Sequence, residues 1–377
     1  MTLNADILQY IEHQSQEAFD LLVELAQIPA PSHYEDRRAA FCKKWLEDHG
    51  AEGVYIDEAK NVIYPVGCTA DNPLVVIAAH TDVVFPDTDP LPLRVEDGKI
   101  FCPGVGDDTA HVVALLTVAR YVAQTKRIPK DCGILFVANA CEEGLGNLKG
   151  IKALMEHYGN RVKEFISLDG PGDEIVNKAV GSKRYKVEID TEGGHSYNMF
   201  GNRNAIAYLA SLIGTLYDMK VPQRGNTTYN VGTISGGTSV NTIAQHAEML
   251  YEFRSDNLDD FREMEQHFNA ALDYYRTKGI QVTCTLVGDR PCASDVDTDK
   301  LNDLVARAFA ATETHMGFKP HLASGSTDCN IPLSMGIPSI MVSCGLGHGA
   351  HTREEYFEIA SQIPGLKVAF QMVLHYF

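Results

Sequence analysis

The chain has 377 residues, 45% of them hydrophobic, and a formal net charge of -18 at pH 7. This length allows two domains, and the hydrophobic content is enough to fill their cores. The acidic balance argues against a nucleic-acid partner, because binding a phosphate backbone requires a basic patch.

The nine cysteines are scattered along the chain without a CxxC pair, which indicates reduced thiols. Residues 1–10 include acidic and polar residues where a secretory signal requires a basic start and an apolar core. No segment approaches the ~20 apolar residues of a membrane span. We therefore expect a soluble cytoplasmic protein with no membrane partner.

Hydrophobic periodicity predicts one helix over residues 6–28 and a second over 35–49. Apolar runs then predict strands, with helical stretches near 108–125 and 147–158 between them. The strands are 74–79, 133–138 and 165–168. Continuous apolar strands that alternate with helices indicate a sheet covered on both faces.

After Gly181 the pattern changes to alternating strands, which is typical of an α+β unit with an antiparallel sheet. Its predicted strands are 183–190, 227–235, 248–254 and 280–287, and its predicted helices are 203–217 and 258–277. The α/β pattern then returns with a helix over 298–312, a strand over 339–342 and a last helix ending at Phe377. We predict a mixed, mostly parallel α/β catalytic domain (1–181 and 292–377) interrupted by an inserted α+β domain (182–291).

Acidic and histidine side chains follow the predicted apolar strands or lie in Gly-rich turns. Open α/β sheets bind ligands at the carboxyl ends of their strands, so these side chains are candidates for a metal site. They are His80, Asp82, Asp107, Asp108, Glu142, Glu143, Asp169 and His351.

Several of these residues also have an ordinary structural explanation. His80 and Asp82 share one face of an extended chain, so one can bind a metal while the other orients it, but the same pair suits a turn or a core. Asp107 and Asp108 precede a helix, and aspartate is a favoured helix N-cap. Asp169 is followed by Gly-Pro-Gly and suits a turn.

Glu142 and Glu143 are harder to explain without a cation. Two glutamates after a buried strand repel each other unless water or a cation neutralises them. They therefore lie either in a surface turn or beside a metal. Near the C-terminus, His348 and His351 share one Gly-rich loop and compete for any ligand role.

The order of these motifs resembles the M20 family of dinuclear zinc peptidases, and within it the peptidase T-like (tripeptidase) branch. The resemblance spans almost the whole chain. It is carried by His80-Thr-Asp82, Gly-x-Gly-Asp107-Asp108, Glu142-Glu143-Gly, Asp169-Gly, Gly193-Gly-His195-Ser, Gly232–Gly237 with Asn241, Arg254, Gly325-Ser-Thr-Asp328 and His351-Thr-x-x-Glu355-Tyr.

The resemblance implies two Zn²⁺ ions, and Mn²⁺ or Co²⁺ would also suit a carboxylate-rich site. The implied ligands are Asp107 as the bridge, His80 and Asp169 at one ion, and Glu143 and His351 at the other. Glu142 would be the general base that takes a proton from the bridging water. Asp82 would lie behind the ligands and orient them.

The resemblance also implies that the inserted domain acts as a lid and forms a homodimer. His195 would contact the transition-state oxyanion, and Asn241 and Arg254 would hold a substrate carboxylate. Gly325 would line the substrate site. On the residues alone, His195 suits a Gly-rich hairpin and Arg254 suits a surface salt bridge.

The implied function is metal-dependent hydrolysis of an amide bond in a short peptide, of the tripeptidase or aminopeptidase type. An N-acyl amino acid amidohydrolase or a carboxypeptidase-like hydrolase is the alternative. Thr109-Ala110-His111, Tyr197 and Ala244 depart from residues common in the family, which leaves the substrate open. A nucleotide-binding oxidoreductase fits poorly, because Gly144–Gly150 is not GxGxxG and follows two glutamates.

Overall fold

The computed structural model describes residues 2–377. The chain divides into two compact units. The first unit consists of the residues up to Ala179 together with Ser294–Phe377, and the second unit is the continuous segment Val180–Ala293.

Up to Ala179, three helices are followed by five strands, and two further helices then alternate with the remaining strands. The helices are α1 (Ala5–His13), α2 (Ser15–Ala26), α3 (Asp36–Asp48), α4 (Ala110–Thr125) and α5 (Lys149–Tyr158). The strands are β1 (Tyr55–Ile56), β2 (Val62–Val66), β3 (Leu74–His80), β4 (Arg94–Glu96), β5 (Lys99–Phe101), β6 (Gly133–Asn139), β7 (Val162–Leu168) and β8 (Glu174–Ala179). The single helix predicted over 6–28 is wrong, because the Gln14 N–H bonds to Ile11 O, three residues earlier, and the helical ladder breaks between α1 and α2.

The second unit packs two helices against an antiparallel sheet. Its elements are β9 (Gly181–Asp190), β10 (Gly194–His195), α6 (Ala205–Tyr217), β11 (Thr227–Gly236), β12 (Thr242–Ile243), β13 (His246–Ser255), α7 (Leu258–Thr277) and β14 (Gln281–Arg290). The sheet has the order β11-β13-β9-β14, and β10 pairs with β12 in a separate ladder. Buried and less buried residues alternate along β9 and β13, and the apolar face packs with α6 and α7 in one core.

After Ser294 the chain completes the first unit. Its remaining elements are α8 (Thr298–Met316), β15 (His321–Gly325), α9 (Asn330–Ser334), β16 (Ser339–Val342), β17 (Gly347–His348), β18 (Tyr356–Glu358) and α10 (Gln362–Leu374). The large sheet has the order β1-β2-β6-β3-β7-β16-β8-β15, and a small sheet has the order β17-β18-β5-β4. Strands β6, β3, β7 and β16 are parallel neighbours at the centre of the large sheet. The predicted mixed, mostly parallel α/β fold is confirmed.

The central strands position the site because helices cover both of their faces. Every residue of β3 and β6 is buried, which matches their continuous apolar sequences. Parallel neighbours bring their carboxyl ends to one edge of the sheet, and polar side chains that follow these ends lie close together. No helix in residues 2–377 is long and apolar enough to cross a membrane.

Candidate metal centre

The carboxyl ends of the central parallel strands carry most of the predicted metal ligands. His80 is the last residue of β3, and Asp169 directly follows β7. Glu142 and Glu143 follow β6 after a two-residue turn, and His351 lies in the loop between β17 and β18. The folded chain therefore collects side chains from four separate segments at one edge of the sheet.

Asp107 lies between two histidines. Its Oδ1 atom is 3.0 Å from Nε2 of His80, and its Oδ2 atom is 3.1 Å from Nε2 of His351. The same His351 nitrogen is 3.2 Å from Oε1 of Glu143. The two oxygens of one carboxylate thus face two different sets of donors, as expected for a carboxylate that bridges two cations.

A second group places Asp169 beside His80 and Asp108, with ligand atoms within 4.8 Å of one another. One oxygen of Asp108 is already engaged by a backbone N–H group. Oδ2 accepts a hydrogen bond of 2.7 Å from the backbone N–H of His80, and Oδ1 lies 2.7 Å from Nδ1 of His111. Asp107 is therefore the better candidate for a bridging ligand.

Neither Asp107 nor Asp108 caps the helix that follows them. The N-cap of α4 is Thr109, and its side chain makes no capping hydrogen bond. Both aspartates instead contact His80, Asp107 at the imidazole and Asp108 at the backbone N–H group. The capping explanation that the sequence left open does not hold for this turn.

The structure also decides between two further pairs of alternatives that the sequence left open. Glu142 and Glu143 are only 6% and 5% exposed, so they do not form a surface turn. His348 lies 3.1 Å from Oε1 of Glu358 and stacks on Tyr356. It is His351 that reaches the carboxylate cluster.

Asp82 holds the turn that carries the two glutamates. Its Oδ1 accepts the backbone N–H of Glu142 at 2.9 Å, and its Oδ2 accepts that of Glu143 at 3.0 Å. The hydroxyl of Ser32 donates to Oδ2 at 2.6 Å. Nδ1 of His80 lies 3.0 Å from the backbone oxygen of Asp82 and 3.5 Å from Oδ1. Asp82 therefore orients the imidazole as well as the glutamate turn.

Glu355 fixes the turn that carries Asp107. The sequence did not reveal this role, although Glu355 belongs to the His351-Thr-x-x-Glu355-Tyr motif. Its Oε1 accepts the backbone N–H groups of Gly106 and Asp107, and its Oε2 accepts that of Gly104, each at 2.8 Å. The residue is 1% exposed. Burial raises the pKa of Glu355 to about 7, although the three N–H donors act in the opposite direction.

Two more buried acids support the site and were missed. Glu35 accepts the backbone N–H of Cys141, the residue before the glutamate pair, at 3.1 Å. Asp328 accepts a hydrogen bond of 2.7 Å from Nδ2 of Asn139, the last residue of β6. The Gly-Ser-Thr-Asp328 motif could have pointed to Asp328. Glu35 is a lone glutamate in the loop before α3, and no sequence motif marks it.

The electrostatics of the cluster favour bound cations. Burial opposes the charged form of His80, but Asp108 and Asp107 raise its pKa well above the usual value. Hydrogen bonds to Asp107 and Glu143 raise the pKa of His351 to about 10. Burial raises the pKa of Glu143 to about 7. Positive charge at this site comes from protons on the imidazoles or from metal ions that displace them, so the donor set fits a divalent metal.

In the second unit, β10 and β12 bring His195 and Asn241 together. The Ser196 N–H donates to Asn241 O at 3.0 Å, and His195 pairs with Thr242 in the ladder. Nδ1 of His195 accepts the backbone N–H of Tyr197 at 3.2 Å. In the neutral imidazole this leaves Nε2 as the nitrogen that donates a hydrogen bond.

Arg254 and Gly325, two further candidates for substrate binding, lie on other strands. Arg254 on β13 bonds to Glu252 twice, from Nε at 3.1 Å and from Nη2 at 3.2 Å. It thus forms the salt bridge that the residues alone suggested. Gly325 ends β15, where a Cβ atom would lie 3.0 Å from Cγ2 of Val176, so close packing accounts for glycine there.

Comparison with known proteins identifies the family. Residues 76–375 match the model of peptidase family M20/M25/M40. The chain belongs to this family. The predicted membership is confirmed, and it makes the chain a metallopeptidase-type hydrolase of amide bonds.

Relatives of this M20 peptidase differ in the substrates that their names state. Over 345 residues it is 26% identical to the succinyl-diaminopimelate desuccinylase of Corynebacterium glutamicum, covering 89% of this chain and 90% of the relative. Its fold is similar to a Staphylococcus aureus tripeptidase, with a TM-score of 0.77, 22% identity and coverage of 95% and 97%. A dinuclear metal-binding M20 peptidase from Bacillus subtilis matches with a TM-score of 0.67, 17% identity and coverage of 97% and 99%.

Replacing Glu355 by glutamine tests whether the hold on the Asp107 turn supports metal binding. The amide keeps one acceptor oxygen and directs an NH₂ group toward backbone N–H donors, so the turn should loosen. We expect E355Q to bind zinc about 10- to 100-fold more weakly than the unmodified chain, measured by competition with a chromophoric chelator.

The matched control is E354Q, because the neighbouring Glu354 side chain is 76% exposed and pairs only with Arg94 among the ion pairs described for it. This variant should bind zinc like the unmodified chain. Equal zinc affinities for E355Q and E354Q would show that Glu355 is not needed to position Asp107.

Proposed function

We propose that this M20 peptidase uses two Zn²⁺ ions to hydrolyse an amide bond of a short peptide, in the manner of a tripeptidase or aminopeptidase. The observation that carries the proposal is the position of Asp107 between His80 and His351, with Glu143 beside the second histidine. Mn²⁺ or Co²⁺ would also be accepted by these ligands.

The proposed ligand assignment follows the same geometry. Asp107 would bridge the ions, His80 and Asp169 would hold one of them, and Glu143 and His351 would hold the other. A bound zinc pair supplies a water with a pKa of about 7 and polarises the scissile carbonyl group. Five protein ligands leave coordination positions for both the water and the substrate.

Glu142 is the proposed general base, which takes the proton of the attacking water and passes it to the leaving amine. Its turn is held by the hydrogen bonds of Glu35 to Cys141 and of Asp82 to Glu142 and Glu143. A turn fixed at three successive N–H groups can direct adjacent glutamates to different partners. This supports one role as base and another as ligand.

The second unit is proposed to supply substrate contacts. His195 would stabilise the oxyanion of the transition state through its Nε2–H group, and the hydrogen bond at Nδ1 favours that tautomer. Asn241, on the adjoining loop, and Arg254 would bind a substrate carboxylate, for which the arginine fork is suited. Gly325, in the first unit, is proposed to line the substrate site.

An N-acyl amino acid amidohydrolase or a carboxypeptidase-like hydrolase is the second candidate. The observation that favours it is the likeness to a desuccinylase over 89% of this chain. Assays of the zinc-loaded protein on tripeptides, dipeptides and N-acyl amino acids separate the two. Hydrolysis of N-acyl amino acids without hydrolysis of tripeptides would reject the tripeptidase function and support the amidohydrolase function.

We also propose a cytoplasmic homodimer formed through residues 182–291. Strand β11 is an outer strand of its sheet, and Ile234 on it is 56% exposed, so an unpaired edge is available to a second copy. None of the nine cysteines, all of which lie in the described residues 2–377, forms a disulfide bond, as expected in a reducing compartment. Sedimentation velocity that gives a monomer at micromolar concentration would reject the dimer.

Separate substitutions of Glu142 and Glu143 should have different effects on metal binding and activity. E142A should keep both metal ions while kcat falls by about 10²- to 10⁴-fold, because only the base is lost. E143A should lose zinc as well as activity, because a ligand is removed. Metal content by mass spectrometry and steady-state kinetics check both; an active E142A would refute the proposed base.

His195→Ala should lower kcat by about 10²- to 10³-fold without loss of metal, the effect of removing one oxyanion donor. The control is H246A, because His246 is an exposed histidine of the same unit that pairs with Asp190. Its kinetics should match those of the unmodified chain. Unchanged kinetics in H195A would show that His195 has only a structural role in its hairpin.

A further inference from the structure

His111 departs from the residues common in the family, and the proposed function gives it no role. It lies in the first turn of α4, shortly after Asp107, and it is 0% exposed. Burying a polar side chain so deeply is unfavourable unless hydrogen bonds satisfy it. The contacts of the two ring nitrogens therefore indicate what the imidazole is placed to hold.

The Nδ1 atom of His111 faces the turn that carries Asp107. It lies 3.1 Å from the backbone oxygen of Gly106, which can only accept, so Nδ1 donates this hydrogen bond. The same atom lies 2.7 Å from Oδ1 of Asp108, whose other oxygen accepts the backbone N–H group of His80. One nitrogen thus reaches the Asp107 turn and, through Asp108, the backbone of His80.

The Nε2 atom of His111 faces Ser343, which directly follows β16. Nε2 lies 3.0 Å from Oγ of Ser343, and the same Oγ lies 3.0 Å from the backbone oxygen of Gly170. Gly170 follows Asp169, and the backbone N–H group of Asp169 donates to Val342 O at 3.2 Å. The second nitrogen thus reaches the segment of Asp169, where β7 and β16 end side by side.

Asp108, His111 and Ser343 are the residue types of a serine-hydrolase triad, but their burial prevents that role. Asp108 and His111 are 0% exposed and Ser343 is 3% exposed, so a substrate does not reach the hydroxyl group. The Ser343 hydroxyl also lies 2.8 Å from the backbone oxygen of Gly345, which keeps it in the turn after β16. The network is therefore suited to holding loops together and not to attacking a substrate.

The contacts of His111 converge on one of the two proposed ions. The segments of all three ligands proposed for that ion are contacted by His111 or by its direct partners. These ligands are His80, Asp107 and Asp169. Glu143, which belongs to the other ion, lies in the turn that Asp82 holds. His111 thus supports one half of the site more than the other.

We propose that His111 is a positioning residue that fixes the Asp107 turn against the segment of Asp169. It thereby sets the affinity for the ion that Asp169 and His80 are proposed to hold. The inference rests on the proposed function, from which it takes the two ions and their ligands. Hydrogen-bonding groups that orient metal ligands typically change metal affinity by about 10- to 100-fold when they are removed.

Calorimetric titration of zinc into the metal-free protein tests the proposal, because it resolves the two binding steps. In H111A one step should weaken by about 10- to 100-fold and the other should change little. S343A should weaken the same step, and the double variant should bind no more weakly than H111A, because both substitutions break one link. H111N keeps an N–H donor for Gly106 O and should recover part of the lost affinity.

A second background assigns the weakened step to one ion. D169N lacks a proposed ligand of one ion only, so it should retain the binding step that belongs to Glu143 and His351. Adding H111A to D169N should leave this remaining affinity unchanged. A further loss of affinity would show that His111 supports the site as a whole, and it would overturn the proposal.

The control is H315N. His315 is a partly buried helix histidine of the same unit, and its Nε2 lies 2.8 Å from Oε1 of Gln371. Loss of this hydrogen bond should lower the melting temperature without changing either zinc affinity. Equal weakening of both steps in H111A would overturn the proposal. If thermal melting shows that H111A is unfolded, the smaller substitution S343A decides in its place.

The failure of this inference differs from that of the proposed function. Unchanged zinc binding in H111A and S343A, with peptide hydrolysis by the unmodified protein, would overturn the inference alone. Two zinc ions without hydrolysis of any peptide or N-acyl amino acid would overturn the proposed function, and a single weakened step in H111A would still support the inference. A protein that binds no zinc would overturn both.

Discussion

The candidate site depends on one carboxylate whose two oxygens point in different directions. Asp107 reaches His80 on one side and His351 on the other, and these histidines come from segments that are far apart in sequence. Such a carboxylate gathers positive charge on both sides, whether from imidazolium protons or from metal ions. The strands of the large sheet bring the remaining candidate ligands to the same edge.

Buried carboxylates that accept backbone N–H groups keep this arrangement in place. Glu355 holds the Asp107 turn, Asp82 holds the glutamate turn, and Glu35 holds the residue before that turn. Burying a charge is unfavourable unless hydrogen bonds satisfy it, so each of these acids is bound into one geometry. That rigidity would allow the adjacent residues Glu142 and Glu143 to act as the proposed base and the proposed metal ligand.

Sequence reasoning identified the elements and residues whose signals are local. The apolar runs of β3 and β6 were recognised because both faces of these strands are buried, and the order of motifs indicated the family. Strand β2 was missed because it contains Pro65, which the sheet tolerates since β1 pairs only with Val62 and Ile63. The role of Glu355 was missed because it contacts Asp107 across 248 residues, and no local pattern reports such a contact.

The central claim is that Asp107 bridges two metal ions, and anomalous diffraction at the zinc absorption edge tests it most directly. Crystals grown with zinc should give two peaks about 3.5–4 Å apart, one on each side of Asp107. One peak should lie beside His80 and Asp169, and the other beside Glu143 and His351. A single peak, or two peaks that do not share Asp107, would contradict the account.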